Sequence, residues 1–190
     1  MAVKLSRIDV AHPVIRHCIT DGLLARMPAV DVVHLRAKRL CARELLERAV
    51  AIRKLHSGIL LINDRVDLCL AAGADGVHLP SHRVAPSAIK QRFGRRLTIG
   101  VSCHALDELC RAEDEGADYA YFSPIFDSPS KVGYGPALGL EGLSAAARAV
   151  RIPVIALGGV DAANEALCVE AGAAGVAGIS RYLGYSQPSR

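Results

Sequence analysis

The sequence predicts an α/β fold of the (β/α)8 (TIM) barrel type, formed by one domain over residues 1–190. Eight short runs rich in β-branched residues alternate with segments of helical spacing, which is typical of βα units stacked around a parallel sheet. A similar motif recurs at 71–79, 114–122 and 170–178, each time as a helix end, a glycine and an apolar run. An open doubly wound sheet usually shows a GxGxxG turn after its first strand, and this sequence has none there. We therefore expect a closed barrel.

The eight predicted strands and the segments between them follow from this alternation. The strand-like runs are 14–21, 31–38, 59–64, 76–80, 97–103, 118–124, 152–159 and 174–180. Helical spacing occurs at 41–58, 65–74, 85–94, 105–117, 139–150 and 161–173. Several of these segments close on glycine, as helix C-termini do. The first connection, at 22–30, is shorter and its helical pattern is weaker.

Composition limits the classes of partner. The chain has 190 residues, of which 51% are hydrophobic, so it can bury one substantial core, although it is slightly short for such a barrel. Only 4% of residues are aromatic and the basic residues are scattered, which argues against binding of nucleic acid through stacked bases. The net charge of +4 favours small acidic ligands instead.

Cysteine usage and the N-terminal residues indicate a reducing compartment. The six cysteines form no CxxC pair and lie in apolar or helical settings, where cysteine behaves as a small hydrophobe. Residues 1–12 lack the apolar region of a signal peptide, and no apolar run approaches the roughly 20 residues of a membrane span. We expect a cytoplasmic protein without membrane contact. Barrels of this size often pair, so a homodimer is possible.

The end of the second predicted strand carries three basic side chains. His34, Arg36 and Lys38 occupy alternate positions of the run 31–38, so they share one face of the strand. Three potential cations on one inward face would repel one another unless they bound an anion. The alternative is a surface strand with solvated charges, but the run starts with apolar residues. Because barrels place their active sites at the carboxyl ends of the strands, we interpret this set as an anion site.

Five other strand ends are also polar or rich in glycine. Asn63 and Asp64 offer hard oxygen ligands suited to Mg²⁺, although Asp64 is equally suited to cap the next helix. Serines and one lysine at 128–131 suggest an anion such as phosphate. Glycines and one serine at 158–159 and 178–180 stand where barrels frequently bind phosphate through backbone N–H groups, although glycine also relieves crowding in turns. Next to the fifth strand, His104 is a candidate acid or base, or a hydrogen-bonding residue at a helix start.

These strand ends resemble the thiamin phosphate synthase superfamily, which also contains TenI-type thiazole tautomerases. The motif HLRAK at 34–38 keeps the arginine and lysine of the family's Q-L-R-x-K but has His34 in place of the glutamine. The motif SPIFDSPSK at 123–131 is similar to G-P-I-x-x-T-x-T-K, with serines for threonines. Further similar stretches are 60–80, 100–126, 156–160 and 175–180, so the resemblance covers nearly the whole chain.

The resemblance implies a transferase that joins a pyrimidine methyl diphosphate to a thiazole phosphate and releases pyrophosphate. It implies that the diphosphate is held by Arg36, Lys38, Asn63 and Lys131, with His34 beside them, and its Mg²⁺ by Asp64. It implies that Ser102, Ser128 and Ser130 line the site. It implies that the thiazole phosphate is held by the loops Gly158–Gly159 and Gly178–Ile179–Ser180. The expected partners are therefore small phosphorylated molecules.

Two departures from the family leave other activities open. The sequence HLPSHR places Arg83 where the synthase has an acidic Mg²⁺ ligand, so we expect the guanidinium to contact the diphosphate or a carboxylate directly. The alternative is that Arg83 turns outward from this loop into water. The HLPS stretch is more similar to the tautomerase branch, yet the histidine of that branch falls on Pro124 here. His34, His82 or His104 could replace it. The alternatives are therefore a thiazole tautomerase acting on a carboxythiazole phosphate, and a non-catalytic protein that binds thiazole phosphate.

Overall fold

Eight parallel strands close into one barrel in the order of the sequence. The structure is a computed structural model that describes residues 14–24, 26–82, 84–94, 96–127, 136–179 and 182. The strands are Ile15–Thr20 (β1), Val32–Leu35 (β2), Ile59–Asn63 (β3), Gly76–Leu79 (β4), Thr98–Cys103 (β5), Tyr119–Phe122 (β6), Val154–Leu157 (β7) and Gly175–Gly178 (β8). The predicted barrel is confirmed, and each strand lies inside its predicted run. The predicted runs were longer because they included residues that flank the strands, such as 36–38 after β2 and 152–153 before β7.

Six helices alternate with the strands in the described part of the chain. They are Ala42–Leu55 (α1), Val66–Ala71 (α2), Pro86–Phe93 (α3), Leu106–Asp114 (α4), Gly139–Ala149 (α5) and Glu165–Glu170 (α6). Each lies within a segment of predicted helical spacing. The described residues of the first connection contain no helix, in line with its weaker pattern. None of the described helices has the length and apolar character needed to cross a membrane.

Apolar side chains form two layers, one outside the strands and one inside the barrel. The outer layer packs strands against helices, and the inner layer consists of Ile19, Val32, Leu61, Tyr119, Tyr121, Ile155 and Ala177. Both layers arise because successive side chains of a strand point to opposite faces. The inner layer is unusual in containing two tyrosines, whose hydroxyls need partners in a dry interior.

Two copies of the repeated motif have the same structural role at the start of a strand. An Asp75 carboxylate oxygen accepts a hydrogen bond from the backbone N–H of Leu60 at 2.8 Å. In the second copy, Asp118 accepts one from the backbone N–H of Ile99, also at 2.8 Å. Each aspartate also pairs with a cation, Arg53 at 2.7 Å and Lys90 at 2.6 Å. In both copies the aspartate just before a strand therefore holds the start of the preceding strand: Asp75 joins β4 to β3, and Asp118 joins β6 to β5.

The cysteines form no disulfides, and most contribute to packing. All six remain thiols, and Cys18, Cys69, Cys103 and Cys168 are buried. Burial raises the pKa of the Cys18, Cys69 and Cys103 thiols to about 12, so they stay protonated at neutral pH. Their role as small hydrophobes agrees with the sequence pattern.

Candidate active site

A pocket of about 280 Å³ opens at the carboxyl ends of the strands. It is lined by Ile19, His34, Arg36, Lys38, Asn63, His78, Pro80, Ser81, Ser102, His104, Tyr121, Ser123, Leu157 and Ile179. Every strand contributes, either directly or through a residue just after it, which is how barrels assemble sites from distant parts of the chain. The lining combines two basic side chains, several neutral hydrogen-bonding groups and a small apolar wall.

The basic side of this pocket comes from the end of β2. The strand stops at Leu35, and the backbone N–H of Arg36 then donates to the carbonyl of Thr20 at 2.7 Å. Arg36 and Lys38 therefore follow the strand rather than lie within it, but both still line the pocket. All four residues of β2 are buried, so the alternative of a surface strand is wrong, although Arg36 and Lys38 beyond its end are exposed.

His34 lies deeper in the pocket and is uncharged. It is 1% exposed, and its pKa is lowered to about 3, first by burial and then by the charge of Arg36, with Asn63 partly opposing this. Neither ring nitrogen has a hydrogen-bond partner of good geometry within the described residues. The interpretation of His34 as a third cation is therefore wrong, because a dry interior disfavours the charged ring. A neutral imidazole instead offers one donor and one acceptor.

His78 connects the pocket to the barrel interior. Its Nδ1 atom lies 2.8 Å from the Tyr119 hydroxyl and its Nε2 atom 2.9 Å from Ser102 Oγ. Its ring stacks on Tyr121 with centroids 4.1 Å apart. Burial, then the neighbouring histidines and Arg36, lower its pKa well below the usual range.

A second buried pair lies on the other side of the same interior. His17 Nδ1 is 3.0 Å from the Tyr121 hydroxyl, and burial lowers the pKa of His17 to about 3. Sequence reasoning did not select His17, Tyr119 or Tyr121 as site residues. The available signal was their alternate spacing in the strands, which places them on the inward face.

His104 lines the rim of the pocket, and its ring is fixed by the backbone. Its Nδ1 atom lies 2.7 Å from the carbonyl oxygen of Ser123. Its backbone N–H donates to Glu108 at 2.7 Å, which holds the start of the loop before α4. Of the three histidines considered for proton transfer, His34 is buried and neutral, and His82 is 79% exposed beside Glu108 and outside the pocket lining. His104 is therefore the histidine placed for exchange with a bound molecule.

Packing explains why Gly158 and Gly159 follow β7. Both have positive φ angles, of 94° and 66°. A Cβ atom at Gly159 would lie 2.7 Å from Phe126 Cβ, and one at Gly158 would lie 2.9 Å from Pro124 Cα. The backbone N–H of Phe126 also donates to the Gly158 carbonyl at 3.0 Å. The two glycines thus let this turn pack against the segment after β6, which accounts for them without a phosphate.

Asp64 adopts a left-handed backbone conformation, with φ of 57°, which aspartate tolerates better than most residues. Its backbone N–H donates to the His78 carbonyl at 3.0 Å. The N-cap position of α2 is occupied by Arg65 rather than Asp64. Within the described residues, no group of three or more His, Cys, Asp or Glu side chains is arranged to hold a metal ion.

The structure brings together part of the predicted site. His34, Arg36, Lys38, Asn63, Ser102 and Ile179 line one pocket, whereas Asp64, Gly158, Gly159 and Gly178 are not among its lining residues. Five predicted site residues lie outside the described residues, namely Arg83, Ser128, Ser130, Lys131 and Ser180. Their roles remain predictions.

Comparisons with known proteins agree on the family. Residues 15–182 match the thiamine monophosphate synthase family (TMP-TENI). A thiamine-phosphate synthase from Methanoculleus marisnigri is 42% identical over 167 residues, which cover 85% of this chain and 79% of that protein. A thiamine-phosphate synthase from Roseiflexus sp. is 39% identical over 174 residues, covering 90% and 74% of the two chains.

A solved structure supports the same assignment. The thiamine phosphate pyrophosphorylase from Pyrococcus furiosus superposes with a TM-score of 0.79 at 30% identity, covering 91% of this chain and 89% of that one. FabK from Thermotoga maritima, at 16% identity and a TM-score of 0.65, shares the fold alone. The family match spans almost all of the described barrel, including every strand that lines the pocket. The chain therefore belongs to the thiamine monophosphate synthase family.

Proposed function

We propose that this protein is a thiamin phosphate synthase, which joins a pyrimidine methyl diphosphate to a thiazole phosphate and releases pyrophosphate. The observation that supports it most directly is the pocket, where Arg36 and Lys38 stand beside a neutral, hydrogen-bonding floor. The names of the relatives and of the Pyrococcus furiosus structure support the same reaction.

The two parts of the pocket suit the two parts of such a substrate. A leaving diphosphate gathers negative charge as its bond to carbon breaks, and fixed cations stabilise that charge in the transition state. The Arg36 guanidinium can bind two phosphate oxygens at once, and Lys38 adds a point charge. The uncharged ring of His34 offers one donor and one acceptor, so it can hydrogen-bond a neutral heterocycle while Arg36 and Lys38 bind the diphosphate.

We include a Mg²⁺ ion in this proposal, held by Asp64 together with oxygens of the substrate. Mg²⁺ is usually bound by one or two carboxylates plus substrate phosphates rather than by a complete protein cage. Asn63 lines the pocket and offers an amide oxygen, and the next residue, Asp64, which is outside the lining, offers one carboxylate. When bound, the ion would neutralise charge on the diphosphate. If Arg83 supplies part of that charge, Arg83→Asp is expected to increase the dependence on Mg²⁺.

The direct test mixes both substrates with and without Mg²⁺ and follows thiamin phosphate. Lys38→Ala is expected to lower kcat/KM by about 100-fold, because it removes charge stabilisation of the leaving group. Arg39→Ala is the matched control, since this neighbouring cation does not line the pocket, and it should stay within about threefold of the unaltered protein. No product above background from folded protein would overturn the proposal.

The contact between His104 and Ser123 favours a second candidate, the isomerisation of a carboxythiazole phosphate. The Ser123 carbonyl can only accept, so Nδ1 of His104 carries the ring proton and Nε2 is the basic nitrogen. A base at the pocket rim is what proton transfer requires. The assay couples isomerisation to a downstream synthase, and a rate equal to the spontaneous one excludes this activity. Calorimetric binding of thiazole phosphate without either turnover would indicate the non-catalytic binder instead.

A further inference from the structure

A buried tyrosine lies behind the pocket lining and is hydrogen-bonded to His78, which lines the pocket. Tyr119 is 0% exposed and is not among the pocket-lining residues, whereas His78 and Ser102 are. The Tyr119 hydroxyl lies 2.8 Å from His78 Nδ1, and His78 Nε2 lies 2.9 Å from Ser102 Oγ. Three side chains from three neighbouring strands thus form one hydrogen-bonded series that ends at the pocket.

The position of Tyr119 is fixed by the strand beside it. Tyr119 of β6 is paired with Gly100 of β5, and a Cβ atom at position 100 would overlap the Tyr119 ring. The absent side chain leaves the space that the ring fills. From there the hydroxyl reaches across β5 to His78 on β4. The geometry therefore depends on a glycine and a tyrosine in register, not on a flexible loop.

A second pair of tyrosine and histidine packs against this series. The rings of Tyr119 and Tyr121 lie with their centroids 5.5 Å apart, and the Tyr121 hydroxyl lies 3.0 Å from His17 Nδ1. The other ring nitrogen of His17, Nε2, is buried and has no hydrogen-bond partner within the described residues.

The cost of a buried donor without an acceptor selects the direction of these hydrogen bonds. A buried N–H without an acceptor is a rarer and costlier defect than a lone pair without a donor. His17 is therefore more stable with its single proton on Nδ1, from which it donates to Tyr121. The same argument applies to the buried Tyr119 hydroxyl, whose hydrogen-bond partner within the described residues is His78 Nδ1, so Tyr119 donates its proton to that nitrogen.

This direction decides what Ser102 can offer to a ligand. When His78 Nδ1 accepts a proton from Tyr119, the single proton of the neutral ring is on Nε2 and is donated to Ser102 Oγ. The hydroxyl proton of Ser102 is then available to the pocket. In the opposite tautomer, the Ser102 hydroxyl would donate its hydrogen bond to His78 Nε2 and present only oxygen lone pairs to the pocket. Beside Arg36 and Lys38, a donor complements a bound phosphate oxygen and a lone pair repels it.

We propose that Tyr119 is a positioning residue that acts through His78 and holds the Ser102 hydroxyl as a donor toward phosphate oxygens in the pocket. The consequence for binding rests on the proposed function, because it requires an anion beside Ser102. The tautomer of His78 does not require a bound anion, since it is set by the hydrogen bonds within the protein. The two can therefore be tested separately.

The first experiment reads the tautomers directly in the ligand-free protein. Nitrogen-15 NMR of protein labelled in its histidine rings distinguishes protonated from unprotonated ring nitrogens. We expect His78 with its proton on Nε2 and His17 with its proton on Nδ1. In Tyr119→Phe, which removes the donor to Nδ1, the His78 spectrum should shift toward a mixture of tautomers. A proton on His78 Nδ1 in the unaltered protein would overturn the proposal, whether or not the variant folds.

The second experiment is a double-mutant cycle that measures binding of inorganic pyrophosphate by calorimetry. Tyr119→Phe should weaken binding about 3- to 10-fold, the range of one hydrogen bond. In a Ser102→Ala background, the same change should have less than about a twofold effect, because its target is gone. Equal effects in both backgrounds would show a merely structural role and overturn the proposal. If unaltered protein with the expected tautomer binds no pyrophosphate, the proposed function fails while the tautomer assignment stands.

Discussion

The Nδ1 atom of His104 lies 2.7 Å from the carbonyl oxygen of Ser123, which fixes the protonated nitrogen of a histidine at the pocket rim. The contact joins the end of β5 to the end of β6, two points that are 19 residues apart in the sequence. It separates the two candidate reactions, because isomerisation needs a base and the joining of two substrates at a carbon centre does not.

His104→Gln is therefore expected to remove isomerisation of a carboxythiazole phosphate while leaving synthase turnover within about threefold. Glutamine keeps a side-chain donor for the Ser123 carbonyl but has no basic nitrogen. Separate initial-rate assays of the two reactions check this. His82→Gln is the control, since His82 is 79% exposed and outside the pocket. Isomerisation that persists in His104→Gln would exclude His104 as the base.

The buried histidines predict a loss of stability in mild acid. The pKa values of His17 and His34 are about 3 in the folded protein and 6.5 in an unfolded chain. Between these values the unfolded chain binds more protons, so the free energy of unfolding is fully present above pH 6.5 and falls as the pH drops toward 3. Each such histidine contributes about 1.4 kcal/mol per pH unit in that window.

Urea unfolding at pH 7 and pH 5 measures this effect. His34→Gln should reduce the difference between the two free energies by about 2 kcal/mol, because one titrating group is removed. His82→Gln should leave the difference unchanged, since that histidine is largely exposed. The same stability at both pH values in the unaltered protein would contradict the neutral state of the barrel histidines.

Gly159→Ala is expected to destabilise the protein by about 2–4 kcal/mol. Alanine would have to adopt a φ of 66° and place its Cβ atom 2.7 Å from Phe126 Cβ. Gly73→Ala separates the two causes, because φ is similar there, at 62°, and no atom lies within 4 Å of the added Cβ. The control should lose only about 1 kcal/mol. Equal losses in urea unfolding would show that contact with Phe126 is unimportant.

Asp118→Ala is expected to lower the free energy of unfolding by about 1–3 kcal/mol, because it leaves the buried N–H of Ile99 without its acceptor. The matched control is Asp67→Ala, which removes an aspartate whose ion pair with Arg65 is exposed. Such surface pairs contribute about 0–1 kcal/mol. A larger loss in Asp67→Ala than in Asp118→Ala, measured by urea unfolding, would contradict the role given to the repeated motif.

The sequence by itself determined the fold and the end of the barrel that carries the pocket. The alternation of strand and helix patterns has one common solution, a ring of parallel strands, and that solution gathers the strand ends on one face. Arg36, Lys38, Asn63 and Ser102 were therefore predictable as neighbours, although they come from distant parts of the chain.

Only the tertiary structure decided the charge and partner of each side chain. His34 looked like a cation in the sequence but is neutral, because its pKa depends on burial by the other strands rather than on its neighbours in the chain. The link from Tyr119 to His78 depends on the register of three strands, and the need for Gly159 depends on the position of Phe126. Spacing in a sequence reports which face a residue occupies, whereas a hydrogen bond or a close contact requires a distance that only the closed barrel sets.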